Sequence, residues 1–338
     1  MNEFSDKSVE HVDSVEGSPD PFNLMDLDID KPFEFKMKPR YKHLVLSGGS
    51  VRGISHLGVL HMLFKHNLID IDNLQTVVGV SVGAIIGCML ILKFTVDEIW
   101  DFILSIDIQK LIHLDSGLTR LIRKCGMDSG KIMYKLIEDI IYAKAGIHNV
   151  TFKDLFNLTG IHFIVVGSCL TTKKAVYFDH VKNPTFVVSV AIRISFGIPG
   201  LFTPVDIDGE KYIDGSFIDN FPMHLFEDKL EETIGILISH EYDTNYKCVE
   251  QFFMAVMNLF LYQFYHATVS KYPHNTIFID NNIEKISMLD FTISDDTKHK
   301  LFKEGMIAAQ KFIDANWEVT VVNEDFDDDS DIEEASST

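Results

Sequence analysis

An α/β fold with a largely parallel central sheet is what this sequence predicts, on three observations. Short β-branched apolar runs alternate with longer stretches whose apolar residues recur at helical spacing. Two glycine-flanked turns, Gly48-Gly49-Ser50-Val51-Arg52-Gly53 and Gly79-Val80-Ser81-Val82-Gly83, each follow such a run and open a helix. Asp208-Gly209 sits in the middle of an alternating segment, a strong hairpin signal.

Taken in order, 41–46 reads as a strand and 53–67 as a helix with Leu57, Leu60 and Phe64 on one face. Residues 76–80 are a second strand and 82–93 a helix apolar all round and therefore buried, so two parallel strands with a crossover helix follow. Residues 95–160 read as mostly helical, with Ile99, Phe102, Ile103 and Ile106 on one face, turns at Ser116-Gly117 and Ser129-Gly130, and no catalytic pattern. A buried strand over 161–166 has a neighbour at 175–178. Asn183-Pro184 signals a helix over 185–195 that Gly197 and Pro199 terminate. A hairpin over 205–213, strands at 233–239 and 276–279, and a closing helix over 302–317 complete the order.

The formal charge of −20 is concentrated at the two ends, because residues 1–30 and 324–338 each carry −8 and only −4 is left for the rest. Both ends are polar and poor in aromatic residues, the composition of disordered chain. The expected organisation is a disordered acidic segment over 1–30, a catalytic domain over 42–225, a C-terminal α/β extension of the same domain over 226–323, and an acidic tail over 324–338. Nucleic acid is a poor partner for this charge balance, and adhesion to anionic membranes by net charge alone is disfavoured. Cys88, Cys125, Cys169 and Cys248 are scattered and no histidine stands at metal-ligand spacing, which fits a reducing compartment with no metal and no cofactor. No signal peptide is visible, and the longest apolar run, 77–92, is too short for a membrane span. The expected location is cytoplasmic, with contact at membranes or lipid droplets as the open alternative.

The two glycine turns carry the chemistry. Gly-x-Ser-x-Gly at a strand-to-helix joint lets the chain turn without a Cβ clash and presents Ser81 at the mouth of the turn, with a helix N-terminus behind it. The plainer reading is a helix cap. The first turn matches neither the dinucleotide fingerprint nor a P-loop, but its backbone N–H groups beside a helix start suit the oxyanion of a tetrahedral intermediate. An oxyanion hole and a serine nucleophile are what acyl-ester chemistry requires.

A serine needs a base, and Asp214-Gly215-Ser216 followed by Asn220-Phe221-Pro222 supplies a candidate. Together with both glycine turns and Ile198-Pro199-Gly200-Leu201-Phe202-Thr203-Pro204, this order of motifs resembles the patatin-like phospholipase family, from about Lys42 to Pro222. The resemblance implies a three-layer patatin-like fold and a Ser–Asp dyad without histidine. Ser81 is then the nucleophile and Asp214 the general base, with Gly48, Gly49 and Ser50 lining the oxyanion hole. Arg52, Gly53, Gly79, Gly83 and Gly215 support the motifs. It also implies a lipid or other acyl ester as substrate. Two positions depart from the family pattern: Ser50 replaces a third glycine, and Ser216 stands where glycine or alanine is more usual. If Ser50 needs positive φ, the substitution costs about 1 kcal/mol and displaces a donor.

Three competing readings have sequence support. Ser81, Asp214 and His240 have the chain order of an α/β-hydrolase triad; a transacylase would use the same dyad; and Ser50 leaves room for a catalytically silent lipid-binding protein. The stretch Phe252 to His266 is apolar on every face and reads first as a buried core helix, second as an acyl channel or membrane-dipping surface.

Overall fold

Residues 41–112, 118–238, 252, 255–256, 270–280 and 292–316 are described by the computed structural model. His240, Cys248, both acidic ends and all of the Phe252–His266 stretch except Phe252, Ala255 and Val256 lie outside them. Phe252 and Val256 are exposed, at 49% and 37%, so the expectation of a core helix does not hold at those two positions.

The chain begins with β1 (His43–Leu46), a 3-10 turn (Ser50–Ile54), α1 (Ser55–Lys65), β2 (Thr76–Val80) and α2 (Val82–Ile91). The stretch expected to be helical then divides into α3 (Val96–Ser105), a 3-10 turn (Ile108–Leu111), α4 (Leu118–Lys124), β3 (Gly126–Asp128), α5 (Lys131–Ala145) and α6 (Phe152–Thr159). Thr95 and Thr151 start α3 and α6 with reciprocal capping boxes to Glu98 and Asp154. Next come β4 (His162–Cys169), β5 (Lys174–Phe178), α7 (Val188–Ser195), β6 (Gly200–Phe202), β7 (Val205–Ile207), β8 (Glu210–Asp214) and α8 (Ser216–Asp219). The described chain ends with β9 (Thr233–Ile238), β10 (Thr276–Ile279) and α9 (Asp295–Asn316).

Eight strands form one sheet in the order β10-β9-β1-β2-β4-β8-β7, with β5 also paired to β4. From β10 through β4 every pairing is parallel, and β5, β8 and β7 join antiparallel. The fold is therefore mixed α/β with a largely parallel sheet, as the sequence predicts. Strand alternation divides its side chains between two cores. Leu44, Leu46, Val77, Phe163 and Val165 join residues of α1, α2, α7 and α9 in the larger core. Val45, Val78, Val80, Ile164 and Val166 face Phe221, Met223, Phe226 and Tyr272 on the other side.

Three elements differ from the sequence reading. The two short strands β3 and β6 pair with each other outside the main sheet, through Gly126↔Gly200 and Asp128↔Phe202. Strands of three residues leave no alternation to detect. Residues 185–187 are not helical, since Pro184 and Phe186 give their carbonyls to Lys153 and Phe152 at the start of α6, and α7 begins only at Val188. Tertiary hydrogen bonding overrides the Asn-Pro signal there. The closing helix begins seven residues earlier than expected, at Asp295 rather than at 302. In the hairpin, Asp208 and Gly209 both take positive φ, 53° and 85°, the conformation that the two central residues of a type I′ turn require.

Helices α1 and α9 cross at two glycines. A Cβ on Gly58 would stand 1.9 Å from the Phe302 carbonyl oxygen, and one on Gly305 would stand 2.0 Å from that of Ser55. Backbone cannot yield as a flexible side chain can, so Gly58→Ala or Gly305→Ala must push the helices apart. Each is expected to destabilise the protein by about 1–3 kcal/mol, read as a lower urea midpoint. An unchanged midpoint would contradict the close crossing.

Candidate active site

The two glycine turns lie at the carboxyl ends of β1 and β2, which are adjacent and in parallel register with Leu46 opposite Gly79. Such crevices are where open α/β sheets bind ligands. Between β2 and α2 the chain bends at a single residue: Ser81 has φ 54° and ψ −123°. That conformation is sparsely populated for an L-residue and costs on the order of 1–3 kcal/mol. Close packing imposes it. A Cβ on Gly79 would come within 2.4 Å of the Ala84 Cα, and one on Gly83 within 2.4 Å of the Leu46 carbonyl oxygen. Neither glycine has positive φ; they are small so that strand, turn and helix fit, and the serine carries the strain.

One hydroxyl holds the bend in place. The Ser81 N–H donates to the Ser195 Oγ at 2.8 Å, and that hydroxyl donates onward to the Val166 carbonyl at 2.6 Å. The Ser195 carbonyl accepts the Gly215 N–H, and the Gly197 carbonyl accepts that of Asp214. The end of α7 thus ties the serine turn to the aspartate turn.

Asp214 ends β8 and is 1% exposed. Its Oδ1 accepts from the Ser216 N–H at 2.8 Å and from the Ser216 hydroxyl at 2.6 Å, and the nearby Ser81 hydroxyl also favours the ionised form. Burial pushes the Asp214 pKa up to about 6, against the opposing pull of Ser216 and of the Ser81 hydroxyl. Because the folded state binds this proton more tightly than the unfolded chain, its contribution to stability is complete at low pH and is lost as pH rises from about 4 to 6. Keeping the carboxylate ionised at neutral pH costs on the order of 3 kcal/mol. Ser216, one of the two departures noted above, is therefore a donor to the carboxylate. Nothing in the order of residues pointed to that role.

In the first turn, Ser50 has φ 54°, so the conformation that favours glycine is present at the position that lacks it. The Gly48 N–H donates to the Asn220 Oδ1 at 2.9 Å, which pins the turn to the segment after α8. The Ser47 carbonyl accepts from His56 Nε2 at 2.9 Å, and the Ser47 hydroxyl accepts from the Ile238 N–H. Burial lowers the His56 pKa to about 4, so its ring is neutral at neutral pH and carries its proton on Nε2 to make that bond. Arg52 is 2% exposed and belongs to the buried structure behind the turn. Among the described residues, no group of three or more His, Cys, Asp or Glu side chains could hold a metal ion. No helix among them is long and apolar enough to cross a membrane.

The family model for patatin-like phospholipases matches residues 44–227, a span that includes every motif described above. The chain belongs to the patatin-like phospholipase family. An uncharacterized protein of Acanthamoeba polyphaga mimivirus is 32% identical over 284 residues, covering 80% of this chain and 93% of that one. A probable lipid hydrolase of Invertebrate iridescent virus 6 is 34% identical over 198 residues, covering 57% and 66%. Among solved structures, VipD from Legionella pneumophila superposes with a TM-score of 0.57 at 19% identity, covering 82% of this chain and 67% of that one, a likeness of fold.

In this patatin-like domain Ser81 is 6% exposed, and it lines a partly open apolar cavity. The cavity has a volume of about 170 Å³ and begins at Ser50 and Ser81. It continues between α2, α3 and α5, past residues such as Ile86, Met89, Ile99, Phe102, Leu136 and Ile140. The sequence reading offered an acyl channel, as a second choice, at 252–266 and no catalytic pattern in 95–160; Ile99, Phe102, Ile103 and Ile106 of the latter stretch line this cavity. Helical periodicity marks a buried face without saying whether it meets another side chain or a void.

The Ser195 hydroxyl is the joint of the site, and Ser195 itself is not among the residues that line the cavity. Its removal in Ser195→Ala leaves the Ser81 N–H buried without an acceptor. Stability is expected to fall by about 1–3 kcal/mol in urea titration. The labelling rate of Ser81 by a fluorophosphonate is expected to fall about ten- to hundredfold, with Ser195→Thr restoring part of it. Unchanged labelling would show that the bend holds without this bond.

Proposed function

We propose that this protein is a lipid acyl hydrolase that works through a serine acyl-enzyme, with Ser81 as nucleophile and Asp214 as general base. The observation that carries the reading is the strained Ser81, near a buried carboxylate that its hydroxyl helps to keep ionised, and on the wall of an apolar cavity. Membership of the patatin-like phospholipase family supports it, as does the probable lipid hydrolase among the relatives.

The reaction follows from these positions. Asp214 takes the hydroxyl proton as Ser81 Oγ attacks the carbonyl carbon of an ester whose acyl chain lies in the cavity. The carbonyl oxygen becomes an oxyanion, for which the amides of Gly49 and Ser50 at the start of the 3-10 turn are the donors; Gly48 already donates to Asn220. Collapse of the intermediate breaks the ester C–O bond, and the departing alcohol or lysolipid takes the proton from Asp214. Water then attacks the acyl-enzyme, giving its proton to Asp214, and the fatty acid leaves as Ser81 regains a proton. The neutral, water-poor surroundings strengthen each electrostatic contact in this sequence.

An alkyl fluorophosphonate is expected to label the wild type and not Ser81→Ala, with Asp214→Asn slowed at least a hundredfold. Only the ionised Asp214 can accept the proton, so kcat/KM on a soluble ester should rise about tenfold per pH unit below about pH 6 and level off above it. Ser216→Ala removes a donor that favours the ionised form, and should move that midpoint upward. A profile that does not respond to Ser216→Ala, or labelling that survives in Ser81→Ala, would refute this assignment.

A further inference from the structure

The chain is strongly acidic, yet residues 110–135 hold six Lys or Arg against two Asp, and one of those two, Asp128, is buried. Arg123, Lys124, Lys131 and Lys135 are exposed, and none has a carboxylate partner among the described residues. Two large apolar side chains stand among them: Ile122, 71% exposed, beside Arg123 and Lys124, and Ile132, 40% exposed, beside Lys131. These residues belong to α4 and the first turns of α5, which are joined through β3, on which α4 packs.

Helix α5 presents different chemistry on its two faces. Lys131 and Lys135 share the exposed face, while Met133, Leu136, Ile137 and Ile140 on the other line the cavity that begins at Ser81. One helix therefore separates unpaired surface cations from the wall of the apolar cavity.

We propose that α4 and the first turns of α5 dock this protein on an anionic phospholipid surface. This placement rests on the acyl-hydrolase reading, in which the cavity receives a chain drawn from lipid. Cations paired with exposed branched apolar side chains match the two parts of such a surface, a negative headgroup layer and the acyl boundary beneath it. The remainder of the chain carries an excess of acids, which the same surface repels, so attraction at this face helps to orient the approach. Net charge alone argues against anionic membranes; the local distribution reverses that conclusion at α4 and the start of α5.

The test is sedimentation of the full chain with vesicles of phosphatidylcholine alone and with about one third phosphatidylserine, at low and high salt. Hydrolysis of a soluble short-chain ester is measured in parallel. Wild type is expected to bind the anionic vesicles preferentially, and added salt to weaken binding. R123E/K124E should bind them at least tenfold more weakly, and Ile122→Ser severalfold more weakly, both with unchanged soluble-ester activity and an unchanged circular dichroism spectrum. Equal binding to both kinds of vesicle, no binding by wild type, or no effect of R123E/K124E would overturn the proposal. A wild type that hydrolyses no ester while showing this binding pattern would count against the acyl-hydrolase reading and leave the docking face standing.

Discussion

The bend at Ser81 is the constraint on which the rest of the site depends. A residue with a side chain is held at φ 54° and ψ −123° because glycines on either side let β2 and α2 close on each other, and because its N–H has a fixed acceptor in Ser195. Relaxing the bend would move the hydroxyl away from both Asp214 and the cavity. The local cost is met by the sheet: β1, β2 and β4 run parallel through the core with no exposed edge among them.

A second cost lies in the carboxylate. Asp214 has almost no contact with water, and its desolvation is offset by the amide and hydroxyl of Ser216 and by the Ser81 hydroxyl instead of by a cation. A nearby Lys or Arg would stabilise the ionised form more strongly but would depress its basicity, whereas Ser216 gives a smaller correction and leaves the carboxylate in the range useful to a general base. Strain at the serine and desolvation at the aspartate are both terms a protein retains only where the surrounding fold over-determines them. Here Ser195 fixes the serine turn, while Asn220 and His56 fix the neighbouring glycine turn through Gly48 and Ser47.

The parts of this architecture that were legible in the sequence are those that local chemistry specifies. Glycines at both turns, β-branched runs before them and the Asp-Gly hairpin are short-range signals, and they led to the parallel sheet, the serine turn and the strand ending at Asp214. Contacts between distant positions left no such trace. Nothing near Ser195 indicates that its hydroxyl serves a residue 114 positions earlier, and nothing near Asn220 indicates that it binds Gly48, 172 positions away. The cavity was hidden for a different reason. Ile99 and Phe102 have the same spacing whether their helix packs against another or walls an empty volume, so periodicity located the helix and not the void. Ser50 was intermediate: its departure from glycine was visible, but only the backbone angle of 54° gave it a physical meaning.

The central claim is that one strained serine faces the amide donors, the buried carboxylate and the apolar cavity at once. A crystal structure of the protein inactivated by a long-chain alkyl fluorophosphonate measures all of these relations together. The account predicts phosphorus bonded to Ser81 Oγ, a phosphoryl oxygen directed at the Gly49 and Ser50 amides, and the alkyl chain running between α2, α3 and α5. Phosphorus on another residue, or an alkyl chain lying outside that cavity, would contradict it.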